Sequence, residues 1–206
     1  MPNRAGVVNP SIRERHAALT RRAIVDAARS LFRRQGYAAT TVEAIAAEAG
    51  VGVSTVYAIL ANKRSILAEI RWQAVQAAGL AELTQAVLGE SDPPVRINRL
   101  AALFRQLYVA AGDVFVVQRA AADADAEVAD TWARVRAERG DNLEEMLKRI
   151  QGHYRKGLSP QRALDIVQAL VNHDLYAELV DVAGWRPDEY EAWLARTLRQ
   201  QLLGTL

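Results

Sequence analysis

The chain has no cysteine. That excludes disulfides, thiol nucleophiles and cysteine–zinc sites, and it fits a protein of the cytoplasm. Only three histidines occur, His16, His153 and His173. They lie far apart and lack a metal-ligand spacing such as HExxH. His173 and Asp174 are neighbours in sequence and would point apart on a helix. No nucleophile–base spacing is found, so no catalytic site, metal or cofactor is expected, and no enzyme. No run of about 18 apolar residues is present, so no membrane span is expected. Residues 1–19 have no apolar signal-peptide core, so secretion is not expected either. Strand-like alternation is missing as well, while helix signals recur throughout. The fold class expected is all-α, with about nine helices.

What is there begins with charge. The 206 residues carry a net +2, unevenly spread. Residues 1–64 hold ten basic and four acidic side chains; the remainder holds sixteen basic and twenty acidic. A basic head on a mildly acidic body fits a protein that lays one end on nucleic acid. Three domains are expected: a flexible basic arm over 1–19, a DNA-binding domain over 20–63, and a helical body over 64–206.

The strongest signal lies at residues 40–63, TTVEAIAAEAGVGVSTVYAILANK. Thr40 and Glu43 have the spacing of a capping box. Val42, Ile45, Ala46 and Ala49 then form one apolar helical face. Gly50 stands where that helix must turn. A second short helix over about 53–60 offers Val56, Ile59 and Leu60 inward. Two short helices joined by a glycine-containing turn form a helix-turn-helix, whose second helix enters the major groove of DNA. Its outward residues would be Gly52, Val53, Ser54, Thr55 and Ala58. None is Arg, Lys, Asn or Gln, the residues that make bidentate base contacts. Specificity would lean on thymine methyls, DNA shape or contacts of the arm. Arg21 and Arg22 early in the first helix, and Thr40 and Thr41 at the start of the next, suit phosphate contact.

Elsewhere, a first helix is expected over about 20–35, capped by Thr20, and a long fourth over about 64–88. Asp92 and Pro93 would open a fifth helix running to about 111, where Gly112–Asp113 punctuates it before a short sixth. Asp125 would cap a seventh, Ser159–Pro160 an eighth and Arg186–Pro187 a ninth.

The segments TRRAIVDAARSLFRRQG (20–36), TTVEAIAAEAGV (40–51) and TVYAILANKRSIL (55–67), with Tyr37, resemble the N-terminal domain of TetR-family transcriptional regulators. GWRPDEYEAWLARTLRQQLL (184–203) is similar to the last helix of many members. Gly52 departs from the serine often found there, and Leu60–Ala61 from an aromatic–proline pair. The resemblance implies a ligand-responsive regulator, most simply a repressor, that binds a palindromic operator as a dimer. It implies Thr41, Tyr57 and Lys63 as phosphate anchors. It also implies an effector site among the middle helices, where Phe104, Tyr108, Phe115 and Trp132 could form walls. Gln118 and Arg136 could add polar contacts there, with Arg99, Arg105 and Arg119 as further candidates. A moderately hydrophobic effector would fit such walls. Finally, it implies a homodimer through the last two helices, by Leu175, Leu179, Tyr190, Trp193, Leu194 and Leu198. A constitutive DNA-binding or architectural protein with a filled core remains the alternative.

Overall fold

A computed structural model describes residues 11–204. It contains ten α-helices and no strand among those residues. They fall into two compact units, divided between Ile70 and Arg71. That is seven residues beyond the boundary expected from sequence.

The first unit holds α1 (Ile12–Gln35), α2 (Val42–Ala49), α3 (Val53–Leu60) and the start of α4 (Lys63–Ala77). The arm expected over 1–19 lies partly outside the described residues, and its second half is helix. Ser11, not Thr20, caps α1: its hydroxyl accepts from the Glu14 amide while the Glu14 carboxylate accepts from the Ser11 amide. Thr20 sits inside the helix and donates its hydroxyl to the His16 carbonyl. The inner face of α1 is Ile24, Val25, Ala28, Leu31 and Phe32, all buried. Ile45 and Ala46 of α2 and Val56 and Leu60 of α3 are buried with them. Each large aliphatic group buried in this way contributes about 1.5–3 kcal/mol.

The cap of α2 is also displaced by one residue. Thr41 is the N-cap and accepts from the Ala44 amide, so Thr40–Glu43 is no capping box. Thr40 is 1% exposed; its hydroxyl donates to the Gly36 carbonyl and accepts from Gln35 Nε2. At the other end Gly50 adopts φ 68°, a left-handed conformation open to glycine at little cost. The amides of Gly50 and Val51 satisfy the last carbonyls of α2. The chain turns by 105° between α2 and α3. That angle belongs to a DNA-reading helix-turn-helix.

The second unit contains the rest of α4, α5 (Leu80–Gly89), α6 (Pro93–Ala124), α7 (Ala126–Lys148), a 3-10 turn at Gln151–His153, α8 (Pro160–Leu170), α9 (His173–Ala177), a π turn at Glu178–Val182, and α10 (Pro187–Leu203). The long fourth helix expected from sequence is broken at Gly79, which takes φ 62°. Conversely, Gly112 does not break α6. A β-carbon on Gly112 would stand 3.1 Å from Nε2 of His173, so the glycine makes room for an imidazole. Tertiary packing overrides a local breaker there. The eighth helix expected is interrupted in turn at Val171–Asn172, so Leu175 and Leu179 lie beyond the end of α8, in α9 and the π turn.

The axis of this unit is α6, packed by α5, α7, α9 and α10. Its buried residues include Ile97, Leu100, Leu103, Phe104, Leu107, Tyr108, Ala111, Val114 and Val117. A helix apolar on most faces is what a central core position demands. By length and composition α6 would also be apolar enough to cross a membrane, contrary to the expectation from sequence. Its clothing by neighbouring helices accounts for that composition. Arg96 is 1% exposed on α6, and its guanidinium donates to the carbonyls of Leu88, Glu90 and Met146. It thereby ties the ends of α5 and α7 to the start of α6, with its cation at two helix C-termini.

Candidate DNA-reading head and ligand cavity

On α3, Ser54, Tyr57 and Ala58 are exposed, Val53 and Thr55 are half-buried, and Gly52 precedes them exposed. The base-reading set expected from sequence is therefore outward, with Tyr57 beside it at 47% exposure. Val56 and Leu60 hold the opposite side in the core. The outer surface of α3 is made of hydroxyls, methyls and one phenol.

The phosphate candidates divide. Thr41 is exposed at the start of α2. Arg22 is exposed and pairs only loosely with Asp26, at 3.7 Å one turn on. Arg21 reaches Glu69 of α4 at 3.4 Å. Thr40 does not belong to the set, because burial spends its hydroxyl inside the unit. Lys63 is engaged as well. Its ammonium donates to the carbonyls of Tyr37 (2.8 Å) and Thr40 (3.0 Å) and stands 4.2 Å from the centre of the Tyr37 ring. It closes the loop between α1 and α2 by hydrogen bonds and a cation–π contact. The exposed side of α1 adds Arg29, Arg33 and Arg34 around a shallow groove with Asp26 and Ser30, and Arg34 also bridges to Glu48 at 3.1 Å. Sequence reasoning counted these arginines in the basic head without assigning them a site. Their i, i+4 spacing was the available signal.

The sequence model described as bacterial regulatory proteins, tetR family, matches residues 24–70, the span of this head. Residues 24–70 are thus similar to the head of tetR-family bacterial regulatory proteins. Solved structures share the fold along nearly the whole length. The fatty acid degradation regulator FadR from Bacillus halodurans aligns with a TM-score of 0.72 at 17% identity, covering 87% of this chain and 94% of that one. NalD, the secondary repressor of the MexAB-OprM multidrug efflux pump in Pseudomonas aeruginosa, aligns at 0.71 and 20%, covering 92% and 98%. The SmeT–triclosan complex aligns at 0.68 and 22%, covering 89% and 91%; SmeT is the repressor of the SmeDEF efflux pump of Stenotrophomonas maltophilia. A search of curated proteins finds no match. The described residues are accordingly all-α and share the fold of these proteins, with a head that matches the tetR-family regulator model.

The second unit holds a partly open cavity of ≈270 Å³, walled by α4, α5, α6 and α7. Five of the six residues expected at an effector site line it: Phe104, Phe115, Gln118, Trp132 and Arg136. Tyr108 does not. It is 2% exposed and donates its hydroxyl to the Val171 carbonyl at 2.7 Å, on the α8–α9 side of α6. Burial pushes the Tyr108 phenol far above its ordinary value, so it stays neutral. Of the further polar candidates, Arg99 pairs with Glu90, Arg105 with Glu191 and Arg119 with Asp174, and none lines this cavity. Sequence reasoning missed Arg71 and Arg139, together with Leu103, Leu107, Val114 and Met146. Arg139 lies one turn from Arg136 and was findable by that spacing; Arg71 was not.

Beside the cavity His173 stacks on Phe115 at 5.2 Å and meets Tyr108 edge-on at 5.5 Å. Its burial lowers the imidazole pKa below the usual value, against the pull of Asp174, Asp181 and Asp113 and with help from Arg119.

The expected dimer stripe is largely internal. Tyr190, Leu194 and Leu198 are each 0% exposed, in a helix that packs on α6. They belong to the subunit's own core and have no surface left for a partner. Leu175, Leu179 and Trp193 are half-buried. Helical spacing identified a buried face correctly, but spacing cannot say which neighbour buries it.

Proposed function

We infer that this protein is a ligand-responsive repressor that works in the cytoplasm. Two copies bind a palindromic operator, and a small-molecule effector releases them. The observation that carries the reading is the pairing of an outward-facing α3 with a separate, partly open cavity in the body. A constitutive architectural protein would be expected to fill that space with side chains. Similar structures include repressors of efflux pumps and one complex with triclosan, which supports the same reading. An effector can act only by binding the DNA-competent and incompetent states with different affinity. Dimerisation follows from economy: α3 alone, without a bidentate base-reading side chain, offers too few contacts.

The test is a footprint on the DNA that flanks the gene, followed by titration with candidate effectors. The expected result is a symmetric site with half-sites about one helical turn apart, occupied by two chains and vacated on ligand binding. Occupancy of an asymmetric site by one chain would remove the dimer. A footprint that no ligand alters, alongside a melting temperature that no ligand raises, would leave the constitutive alternative.

A further inference from the structure

The geometry points to an amphipathic organic anion, an apolar body bearing one carboxylate, as the effector of the cavity between α4, α5, α6 and α7. This rests on the reading of that cavity as an effector site and adds the charge of what enters it.

The second unit has five arginines that are buried or half-buried: Arg71, Arg96, Arg105, Arg139 and Arg199. Three have partners within the chain, although Nη2 of Arg96 and Nε of Arg199 also lack an acceptor. Arg96 donates to carbonyls, Arg105 to Glu191 at 2.8 Å, and Arg199 to Asn98 at 2.9 Å. Arg71 and Arg139 form no hydrogen bond and no ion pair among the described residues, and the Nε of each is buried without an acceptor. Both line the same cavity. A buried donor without an acceptor costs about 1–3 kcal/mol, and more when charged. Two arginines with no partner at all coincide at one cavity, while each of the other three has at least one; that marks a place where an acceptor is to be supplied from outside.

The surroundings fix the sign and the shape. Arg136, one turn before Arg139, also lines the cavity; the lone acidic residue in the lining is Glu138. An ammonium group would face three guanidinium groups there, and a neutral group would leave the Nε donors imperfectly matched. A carboxylate presents two oxygens to the planar guanidinium fork, the strongest pairing available to arginine. Most of the remaining wall is apolar, from Leu103, Leu107, Val114, Phe115 and Trp132, with Thr84, Gln118 and Asn142 as its polar members, so the rest of the molecule is mainly hydrocarbon or aryl. Phe115, Trp132, Arg136 and Arg139 also border a second, polar cleft of ≈410 Å³. Arg139 thus stands where apolar and polar space adjoin, as an anionic head with an apolar body requires. The volume of ≈270 Å³ lies near the lower end of ligand pockets, which run from about 300 to 1,000 Å³. It fits one ring and a short chain.

The experiment uses the full chain and three probes of one shape: 4-phenylbutanoate, 4-phenylbutanol and 4-phenylbutylammonium. Calorimetry and thermal shift are measured for the wild type, for Arg71→Gln and Arg139→Gln, and for the double variant. The carboxylate should bind at least tenfold more tightly than the alcohol, and the ammonium least. The double variant should lose that preference, with the alcohol bound as in the wild type, which also shows that the cavity has kept its shape. Equal or tighter binding of the alcohol or the ammonium would overturn the charge assignment and leave an effector cavity standing. A carboxylate preference that survives in the double variant would also overturn it, placing the anion elsewhere. Binding of none of the three would overturn the effector reading of the cavity, and the charge assignment with it.

Discussion

The head and the body of this protein treat buried polar groups differently. In the head, Thr40 and Lys63 spend their donors on the carbonyls of Gly36, Tyr37 and Thr40. Arg34 spends its own on Glu48. The loop between α1 and α2 is thereby locked, and α3 is presented on a rigid support. In the body, Arg96 spends its Nε and Nη1 donors on carbonyls though its Nη2 finds no acceptor, while Arg71 and Arg139 have no partner at all beside a cavity. A surface that must meet a fixed DNA geometry gains from internal satisfaction. A site that must respond to a ligand gains from leaving a donor unmet, because the ligand then contributes what the fold withheld.

The largest expected effect sharpens the contrast within one helix. Leu198→Asp should unfold the body, at a cost beyond about 4 kcal/mol, since it buries a charge with no partner. Trp193→Glu, on the half-buried side of α10, should leave the chain folded and divide the dimer. Thermal unfolding and sedimentation of the two variants check this. A folded monomeric Leu198→Asp would mean that the stripe Tyr190–Leu194–Leu198 faces a partner after all.

Lys63→Met comes next. It keeps the methylene stem and removes the hydrogen bonds to the carbonyls of Tyr37, Ala38 and Thr40 and the contact with the Tyr37 ring. The head should lose roughly 2 kcal/mol, and the melting temperature should fall without any DNA present. Operator and non-operator DNA should be weakened alike. An unchanged melting temperature with a loss of about one unit in the salt slope would return Lys63 to phosphate contact.

The smallest effect concerns protons. His173 has its pKa lowered from 6.5 in the fold. Below about 6.5 the unfolded chain binds a proton that the native imidazole resists. The native state therefore loses stability as pH falls from 7 through 6.5 towards the depressed value, and regains it as pH rises. Replacement by glutamine, His173→Gln, should flatten that part of the stability–pH curve. If the curve keeps its slope in this variant, another group carries it.

The head was legible because its signals are local. Gly50 at the turn, the apolar positions of α2 and the spacing of Val56 and Leu60 are read from consecutive residues, and they placed Ser54 and Ala58 outward. Some errors there were single steps, such as Thr40 for Thr41 as the cap, where two adjacent threonines carry the same chemistry; the start of α1, expected at Thr20 and found after Ser11, was a larger one. In the body the sequence indicated helices, but their breaks were misplaced. Gly79 stops a helix and Gly112 does not, although the local signal is similar. Only the second faces His173 across a helix contact.

By itself, then, the amino-acid order determined an all-α chain, a DNA-reading head and the outward face of α3. Backbone preference and apolar periodicity act within a turn or two, and they leave their record in neighbouring residues. Tertiary structure decided which side of α10 is core, which aromatic residues wall the cavity and which arginines go unpaired. Those are properties of residues brought together from distant parts of the chain. Arg71 and Arg139 are separated by two intervening helices in sequence, and no local pattern relates them. Burial and pairing are relations across space, so they exist only once the helices have packed.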